Sequence, residues 1–438
     1  MKMDVLITTQ VFPPEIHPTA IMVRQLATHL ARAGAHVSVA AGFPHHPHGR
    51  LLAGYRRRLL ARERAEGGFD VIRGWHLVSE RRGMLARSGV MASQALGTAL
   101  AALRAVRPDV IVSFGPPLVG PLMSAGVARR SGAKVVSVIY DLYPDIAIET
   151  GRLRNPFLIG AARAAERLVY RSSDRVVVLS EGLRRQMLRK GVPPQRLEVV
   201  PVWLDPDEIR PLSRNNAWRS ENGIPLWKKV VLYAGTIGIV SGAATMIEVA
   251  ERLRERDDVL FLFVGEGQVK DELTAKARGR ALTNVAFLPF QPRARLPEVQ
   301  ATADLSVVTL APGRGRTSVP SKVTGYLAAG RPVVASVDLD SDTAECVRRA
   351  GGIVTPAGDP GALAGGISMM LSDESLRQRS GETARRVFEE DFSMPAALAR
   401  FSRILEATAA EGRAPPPSRG PPQGAPRLPA DRGRQAVT

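Results

Sequence analysis

The sequence predicts an α/β protein built from two tandem, doubly wound Rossmann-like domains that face a cleft. Short apolar runs such as Lys134–Ile139 lack the alternation of half-exposed strands and are typical of parallel strands covered on both faces. Strand-like and helix-like segments alternate along the chain, as they do in doubly wound sheets. The alternation stops over Leu197–Pro211, a linker-like stretch with three prolines, and then starts again.

The first domain is expected to span residues 1–205. A helix over Ala20–Ala33 follows the first strand, because apolar residues recur on one face and Gly34 ends the pattern. Another helix begins at Glu181, with Ser180 as a suitable N-cap. The strands of this domain are predicted at Val5–Thr9, Val37–Ala41, Val110–Phe114, Lys134–Ile139 and Arg175–Leu179.

The second domain is expected to span residues 206–395. A final helix is predicted within residues 396–412. Residues 413–438 contain seven prolines and five arginines, which is typical of a disordered tail. The second domain has a predicted helix at Thr245–Glu255 and predicted strands at Val230–Ala234, Leu260–Val264, Val285–Leu288, Leu305–Leu310 and Val333–Ala335.

The charge of the chain is unevenly distributed. Its 438 residues include 60 Lys and Arg against 42 Asp and Glu, a formal net charge of +18. Residues 1–200 hold 29 basic and 14 acidic residues, whereas residues 201–412 hold 26 and 27. This asymmetry indicates that the first half faces an anionic surface or ligand. The single Cys346 excludes a disulfide partner within the chain and a cysteine-based zinc site.

Two basic segments flank an apolar stretch in the first half. Tyr55–Arg62 and Arg81–Arg87 precede Gly89–Leu103, and this combination suits an interfacial segment on an anionic membrane surface. A core helix with solvated arginines is the alternative. No nucleic acid partner is expected, because helix-turn-helix, zinc-finger and RNP-like signatures are lacking. We find no signal-peptide pattern and no apolar span of 18 residues, and so expect a cytoplasmic protein, peripheral on the inner face of the cell membrane.

The segment Ser318–Ala335 has the most chemical content. Pro320 suits the first turn of a helix, whose free N–H groups and positive dipole end attract anions. Lys322 adds a full charge in the same turn, so the segment can hold a phosphate or diphosphate. A packed helix with a solvated lysine is the alternative.

This segment and six others resemble, in the same order, motifs of glycosyltransferase family 4, which has the GT-B fold. The resemblance covers about residues 3–400, and it is strongest to the branch of fucosaminyl- and colanic-acid-type transferases. The other six motifs are Phe12–Glu15, Gly42–Pro44, Pro108–Val112, Asp141–Pro144, Tyr233–Gly235 with Gly238, and Val264–Gly267.

The resemblance implies a retaining glycosyltransferase. The second domain would bind a nucleotide-sugar donor, and the first would bind a surface-glycan acceptor, lipid-linked or otherwise. No metal or other cofactor is expected, because protein groups would stabilise the leaving diphosphate. Two alternatives stay open: a nucleotide-sugar epimerase or phosphorylase of related fold, and a catalytically inactive nucleotide-sugar-binding membrane partner.

The same resemblance implies the site residues. Asp141, at the carboxyl end of a predicted strand, and Lys322 are the expected catalytic residues; capping of the next helix is the alternative role of Asp141. The expected acceptor-binding residues are Glu15, His17, Thr19 and Asp145. The expected donor-binding residues are Gly235, Gly238, Gly265, Glu266, Arg314, Arg316, Thr317, Ser318, Val319, Pro320 and Ser321.

The chain departs from the family pattern at several positions. Thr317 and Gly325 stand where two glutamates are usual, and Tyr140 stands where histidine is frequent. The loop Thr236–Ser241 lacks the usual Arg and Lys that clamp the diphosphate.

Two arginines offer a replacement for that missing charge. Arg314 and Arg316 lie in a glycine-containing loop just before Lys322, and arginine suits bidentate phosphate contact. We hypothesise that they bind the diphosphate; solvated loop arginines are the alternative.

Three histidines lie close together at His45, His46 and His48. Clustered histidines can bind metal, but no Cys, Asp or Glu accompanies them nearby. We therefore expect a loop that borders the acceptor site and no metal site.

Overall fold

In a computed structural model the chain contains two α/β domains, each with a largely or wholly parallel sheet. The structure describes residues 2–46, 48–80, 83–115, 118–313 and 320–413. Residues 414–438 of the predicted tail, Arg314 to Val319, and Arg81 and Arg82 of the second basic segment lie outside this range. The first-domain strands are β1 Asp4–Thr8, β2 His36–Gly42, β3 Leu60–Arg64, β4 Asp70–Gly74, β5 Val110–Phe114, β6 Lys134–Ile139, β7 Arg175–Val178 and β8 Leu197–Val199. The second-domain strands are β9 Lys229–Ala234, β10 Val259–Val264, β11 Val285–Leu288, β12 Leu305–Thr309, β13 Val333–Val337 and β14 Ile353–Pro356.

Helices connect most of the strands in both domains, whereas β2, β3 and β4 follow one another through loops. The helices are α1 Pro18–Arg32, α2 Met84–Ala102, α3 Val119–Ser131, α4 Asp145–Glu149, α5 Pro156–Ser172, α6 Glu181–Arg189, α7 Ala217–Glu221, α8 Ala244–Arg252, α9 Lys270–Gly279, α10 Leu296–Ala301, α11 Ser321–Ala328, α12 Asp342–Arg349, α13 Pro360–Ser372, α14 Glu374–Val387 and α15 Met394–Arg413. Among the helices described, none has the length and hydropathy needed to cross a bilayer.

Both sheets are doubly wound and reverse their strand order near the middle. The first has the order β3-β4-β2-β1-β5-β6-β7-β8, and the second has the order β11-β10-β9-β12-β13-β14. All pairings are parallel except that between β3 and β4. The reversals lie at β1 and β9, and doubly wound sheets bind ligands beyond the carboxyl ends of the strands at such points.

Helix α15 packs on the first domain although it follows the second in the chain. Phe401 lies edge-on to Trp203, with ring centroids 5.8 Å apart, and packs in the core beside α1. Ser402 forms a hydrogen bond of 3.0 Å with His29 of α1. The chain therefore crosses between the domains twice, once after β8 and once near Phe392. There the amide of Leu204 donates to the carbonyl of Phe392, and the amide of Met394 donates to the carbonyl of Leu204.

The structure corrects the predicted elements at several places. Leu197–Val199 is the last strand of the first sheet and not part of the linker. Strand β3 and strand β4 were not predicted; β3 is an edge strand whose charged side chains reach solvent, so its sequence lacks an apolar run. Strand β14 was also missed because it has only four residues and one of them is proline.

Candidate functional site

A cavity of about 240 Å³ opens between the two domains. The first domain contributes the carboxyl ends of β6 and β7, and the second contributes the first turn of α11. The linker after β8 closes one side. The lining residues are Tyr140, Leu179, Ser180, Leu183, Pro201, Val202, Trp203, Leu204, Ser321, Thr324 and Phe392.

The amino terminus of α11 faces this cavity. Pro320 precedes the helix in an extended conformation, and no side chain of the described residues caps the free N–H groups of the first turn. Ser321 is exposed, whereas Val323 and Tyr326 are fully buried and fix the helix against the sheet. Uncapped N–H groups and the helix dipole give this end a partial positive charge that suits an anionic ligand.

Lys322 lies in the same turn and is held against strand β9. Its Nζ donates a hydrogen bond of 2.6 Å to the hydroxyl of Tyr233 and lies 3.9 Å from the centre of that ring. Burial lowers the pKa of Lys322 to about 8. Within the described ranges no carboxylate pairs with it, so the amine is a poorly solvated charge without an anion.

Tyr233 is itself fixed by the loop that follows β9. Its hydroxyl donates to the carbonyl of Thr236 at 2.9 Å, and burial raises its pKa to about 12. The hydroxyl of Tyr326 completes the arrangement by accepting a hydrogen bond of 2.8 Å from the amide of Ala234. Two tyrosines thus join β9 to α11 and set the position of Lys322.

Glycines allow the loops after β9 and β10 to touch through their backbones. A Cβ added to Gly265 would lie 2.0 Å from the carbonyl oxygen of Gly235, and both residues have positive φ angles. Gly235 also lies against the side chain of Lys322, whose Cε would be 3.6 Å from an added Cβ. Gly238 begins the single helical turn Ile239–Ser241 with φ −114°, a value open to any residue.

Glu266 follows Gly265 and forms an ion pair that the sequence analysis did not include. Its carboxylate accepts a hydrogen bond of 2.6 Å from Lys270 at the start of α9. The Lys270 side chain is mostly buried, whereas that of Glu266 is mostly exposed. The spacing of four residues was the available signal, and the pair adds a second lysine near the loops after β9 and β10.

Asp141 lies directly after β6 and next to Tyr140 of the cavity. Although the residue is exposed as a whole, partial burial of its carboxyl raises its pKa. No donor from the described part of the chain engages that carboxyl. The Tyr140 hydroxyl is buried and likewise finds no hydrogen-bond partner among the described residues, and burial raises its pKa. This edge of the first domain therefore offers the carboxyl of Asp141 to a ligand, whereas the Tyr140 hydroxyl is enclosed by the protein.

Asp145 is engaged in a separate network. It pairs with Lys190 at 2.7 Å, and Lys190 also contacts the buried Glu166 at 2.8 Å. The hydroxyl of Tyr170 donates to Glu166 at 2.8 Å. These contacts fix α4 and α5 to α6, so the structure gives Asp145 a structural role.

The predicted acceptor residues of the amino-terminal turn also organise the backbone. Glu15 is buried and accepts hydrogen bonds from the amides of Phe12, His45 and His46 at 3.0–3.1 Å. It joins this turn to the histidine loop and has little surface left for an acceptor.

His17 caps α1 by accepting a hydrogen bond of 3.2 Å from the amide of Thr19. Burial, together with the neighbouring His46, lowers the pKa of His17. Burial and the nearby His76 likewise lower the pKa of His45. No group of three or more metal-ligating side chains is assembled within the described part of the chain.

An aspartate that sequence reasoning missed joins the two domains beside the cavity. Asp342, at the start of α12, is buried and accepts hydrogen bonds from the amide of Gly182 at 3.0 Å and from Arg185 at 2.9 Å. Gly182 admits this approach, because an added Cβ would lie 2.4 Å from the carboxylate. Nothing in the local sequence indicates this contact, since Arg185 and Gly182 are 157 and 160 residues away from Asp342 along the chain.

Five of the predicted donor residues belong to the segment between Gly313 and Pro320. Arg314, Arg316, Thr317, Ser318 and Val319 lie outside the described residues. The structure does place the two ends of their segment. Gly313 donates its amide to Asp338, and Pro320 leads directly into the uncapped turn of α11.

The chain is similar to known glycosyltransferases in both sequence and fold. A family model described as a glycosyl transferase 4-like domain matches residues 19–203, and one described as glycosyl transferases group 1 matches residues 214–387. WcaI of Escherichia coli K12, whose name describes a glycosyl transferase of colanic acid biosynthesis, is 27% identical over 399 residues, covering 89% of this chain and 97% of that protein. WbjE of Pseudomonas aeruginosa, named as a glycosyltransferase, is 27% identical over 71% of this chain and 77% of its own length.

Solved structures support the fold. Sucrose-phosphate synthase of Thermosynechococcus elongatus superposes with a TM-score of 0.67 at 16% identity, covering 93% of this chain and all of that one. HepE of Anabaena, solved in complex with UDP-glucose, gives a TM-score of 0.59 at 15% identity over 92% of this chain and all of its own.

Proposed function

Because the chain belongs to glycosyltransferase family 4 and has the GT-B fold, we propose that it transfers a sugar with retention from a nucleotide-sugar donor to a lipid-linked surface-glycan acceptor. The observation that carries this proposal is the amino terminus of α11, which lines the interdomain cavity through Ser321 and Thr324. The mostly buried amine of Lys322 lies in the same turn and pairs with no described carboxylate. The complex of Anabaena HepE with UDP-glucose and the colanic acid role in the name of WcaI support the donor and acceptor classes.

The second domain would stabilise the leaving group. As the bond between the anomeric carbon and the diphosphate oxygen breaks, negative charge grows on the diphosphate. The N–H groups at the start of α11 and the amine of Lys322 are fixed in advance, and such groups stabilise charge without reorganising. These groups take the place of a divalent cation, and so we propose that transfer is independent of metal.

The first domain would position the acceptor. Asp141 directly follows Tyr140, which lines the cavity opposite α11, and its carboxyl has no described partner, so an acceptor hydroxyl can meet the donor beside it. The raised pKa of Asp141 suits a group that receives or holds the hydroxyl proton while the new bond forms to the anomeric carbon. If the new bond forms and the old one breaks in a single displacement, retention requires attack from the face that the diphosphate leaves.

Donor binding provides the first test. Thermal shift with a panel of nucleotide sugars should reveal one that stabilises the protein, and Lys322→Ala should bind it about 10- to 100-fold more weakly, the effect of one charge-assisted hydrogen bond. Lys276→Ala is the matched control, because that lysine pairs with Glu248 on an outer helix. Equal donor affinity of wild type and Lys322→Ala would contradict the proposed role.

Transfer provides the second test. With the identified donor and a membrane extract as acceptor source, labelled sugar should enter the lipid fraction at the same rate with and without EDTA. Donor binding without transfer would favour the inactive binder, and turnover of the donor without an acceptor would favour an epimerase or phosphorylase. Loss of transfer in EDTA would refute metal independence.

A further inference from the structure

Helix α5 presents an apolar stripe to solvent. Phe157 and Leu158, in its first turn, are 85% and 58% exposed, and Leu168 is 46% exposed. Ala161 and Ala164 are exposed between them. The spacing of positions 157, 161, 164 and 168 places them along one face of the helix.

Arginines run beside this stripe. Arg163, Arg167 and Arg171 are exposed and follow one another at intervals of four residues. The one acidic residue of α5 is Glu166, which is 4% exposed and points inward to Tyr170 and Lys190. The solvent face of α5 is therefore apolar and cationic without any counter-charge.

The neighbouring helices continue the same surface. Helix α3 packs between α2 and α5 on one face of the first sheet, and neither α2 nor α3 contains an acidic residue. Leu96, Leu100 and Leu103 are exposed at and just after the carboxyl half of α2. We call these exposed side chains of α2, α3 and α5 the helical face. Its exposed arginines in the nearby loops and α3 are Arg104, Arg107, Arg129, Arg130, Arg152 and Arg154.

The helical face begins at the same edge of the domain as the candidate site. Strand β6 ends at Ile139, next to Tyr140 and Asp141, and α5 starts after the short helix α4 at this edge before it returns toward β7. Phe157 therefore lies at the cleft end of the helix. Any surface that contacts Phe157 therefore lies close to the position predicted for the acceptor.

We propose that the helical face docks the protein on the surface of an anionic phospholipid bilayer, with α5 as the interfacial helix. A helix with an apolar stripe flanked by basic residues lies in the plane of a membrane interface, and anionic headgroups supply the missing counter-charge. The helical face is extended and has no exposed acidic residue on α2, α3 or α5, so a protein partner would need an equally extended complementary surface. An anionic lipid surface is complementary to it without any such requirement. The proposal deepens the proposed function through the lipid-linked acceptor, but lipid binding requires neither donor nor turnover.

Cosedimentation of the full chain with vesicles tests this proposal. Wild type should bind phosphatidylcholine vesicles that contain phosphatidylglycerol and bind pure phosphatidylcholine much less. Each basic residue near an anionic surface raises the affinity for the membrane about fivefold. The triple variant Arg163→Glu/Arg167→Glu/Arg171→Glu should therefore bind the anionic vesicles at least about a hundredfold more weakly than wild type. The matched control is Arg254→Glu/Arg278→Glu/Arg386→Glu, which makes the same change of charge at exposed positions of the second domain.

A second variant separates docking from simple charge attraction. Phe157→Ser/Leu168→Ser keeps the charge and should also weaken binding, because it removes the part of the face that enters the interface. Equal binding of wild type and both α5 variants would overturn the proposal and leave the tail or Tyr55–Arg62 as the lipid-binding segment. A dimer that sedimentation detects in wild type and that the α5 variants lose would also overturn it. The α5 variants should show the same thermal shift with the donor as wild type. This control distinguishes a loss of lipid binding from failure of the proposed function.

Discussion

Replacing Lys322 by methionine should stabilise the folded protein at neutral pH. Burial lowers the pKa of this lysine from 10.5 to about 8. At about 1.4 kcal/mol for each pH unit between the two pKa values, the charged amine costs the folded state about 3 kcal/mol. Methionine has a similar length without the charge, and the lost hydrogen bond to Tyr233 subtracts about 1 kcal/mol. We expect a net gain of about 2 kcal/mol in the free energy of unfolding at pH 7.

The pH dependence of this gain has a definite sign. Below pH 8 the lysine is charged in both the folded and the unfolded state, so the whole cost applies. Between pH 8 and 10.5 it is neutral in the folded state but charged in the unfolded state, and the cost declines as the pH rises. Above pH 10.5 both states are neutral and the cost is gone.

Urea unfolding of wild type and Lys322→Met at pH 7 and pH 10 measures both effects. The advantage of the variant should shrink by about 2 kcal/mol between these pH values, while the control Lys276→Met, partly exposed and paired with Glu248, should show no such change. A variant less stable than wild type at pH 7, or an advantage equal at both pH values, would refute the reasoning. It would show that burial of the charged amine of Lys322 does not destabilise the folded state.

Three further substitutions test other parts of the structure. Asp141→Asn should reduce kcat at least about a hundredfold with unchanged donor affinity in thermal shift, whereas Asp145→Asn should change stability and leave kcat within a fewfold of wild type; the reverse pattern would exchange their roles. Glu15→Ala should lower the free energy of urea unfolding by about 1–3 kcal/mol, because three backbone amides lose their acceptor; a change near zero would contradict that role. Asp342→Ala should expose the linker Val200–Pro211 to limited proteolysis, and an unchanged cleavage rate would show that this contact does not hold the domains together.

The positions of buried strands could be predicted from the sequence, because burial of a strand requires a local run of apolar residues. Strand β10 is apolar throughout and β6 is apolar except for Lys134 and Ser137, as expected for strands covered on both faces, and the sequence predicts the positions of both to within a residue or two. The packing of α15 on the first domain could not be predicted. It depends on Phe401 meeting Trp203 across almost two hundred residues, and no local pattern encodes such a contact.

The site was predictable in residue type but not in arrangement. A lysine in the first turn of a helix indicates an anion site, whereas its placement on Tyr233 depends on how α11 packs against β9. Glu15 illustrates the opposite limit. A glutamate beside a predicted cleft suggests a ligand contact, yet both of its oxygens accept backbone amides, and this role becomes visible only once His45 and His46 are placed.

The distribution of charge indicates a different kind of electrostatic interaction for each domain: binding of one ligand by a few fixed groups, and attraction to an extended anionic surface. The second domain is close to neutral overall, so its proposed affinity for a diphosphate must come from a few fixed groups such as Lys322 and the first turn of α11. Short-range groups of this kind discriminate one ligand and keep much of their strength in salt. The excess charge of the first domain includes a row of arginines on an acid-free surface, which suits attraction to an extended anionic plane. Lipid binding should therefore weaken steeply with added salt while donor binding changes little, and equal salt dependence of the two would show that one electrostatic mechanism serves both.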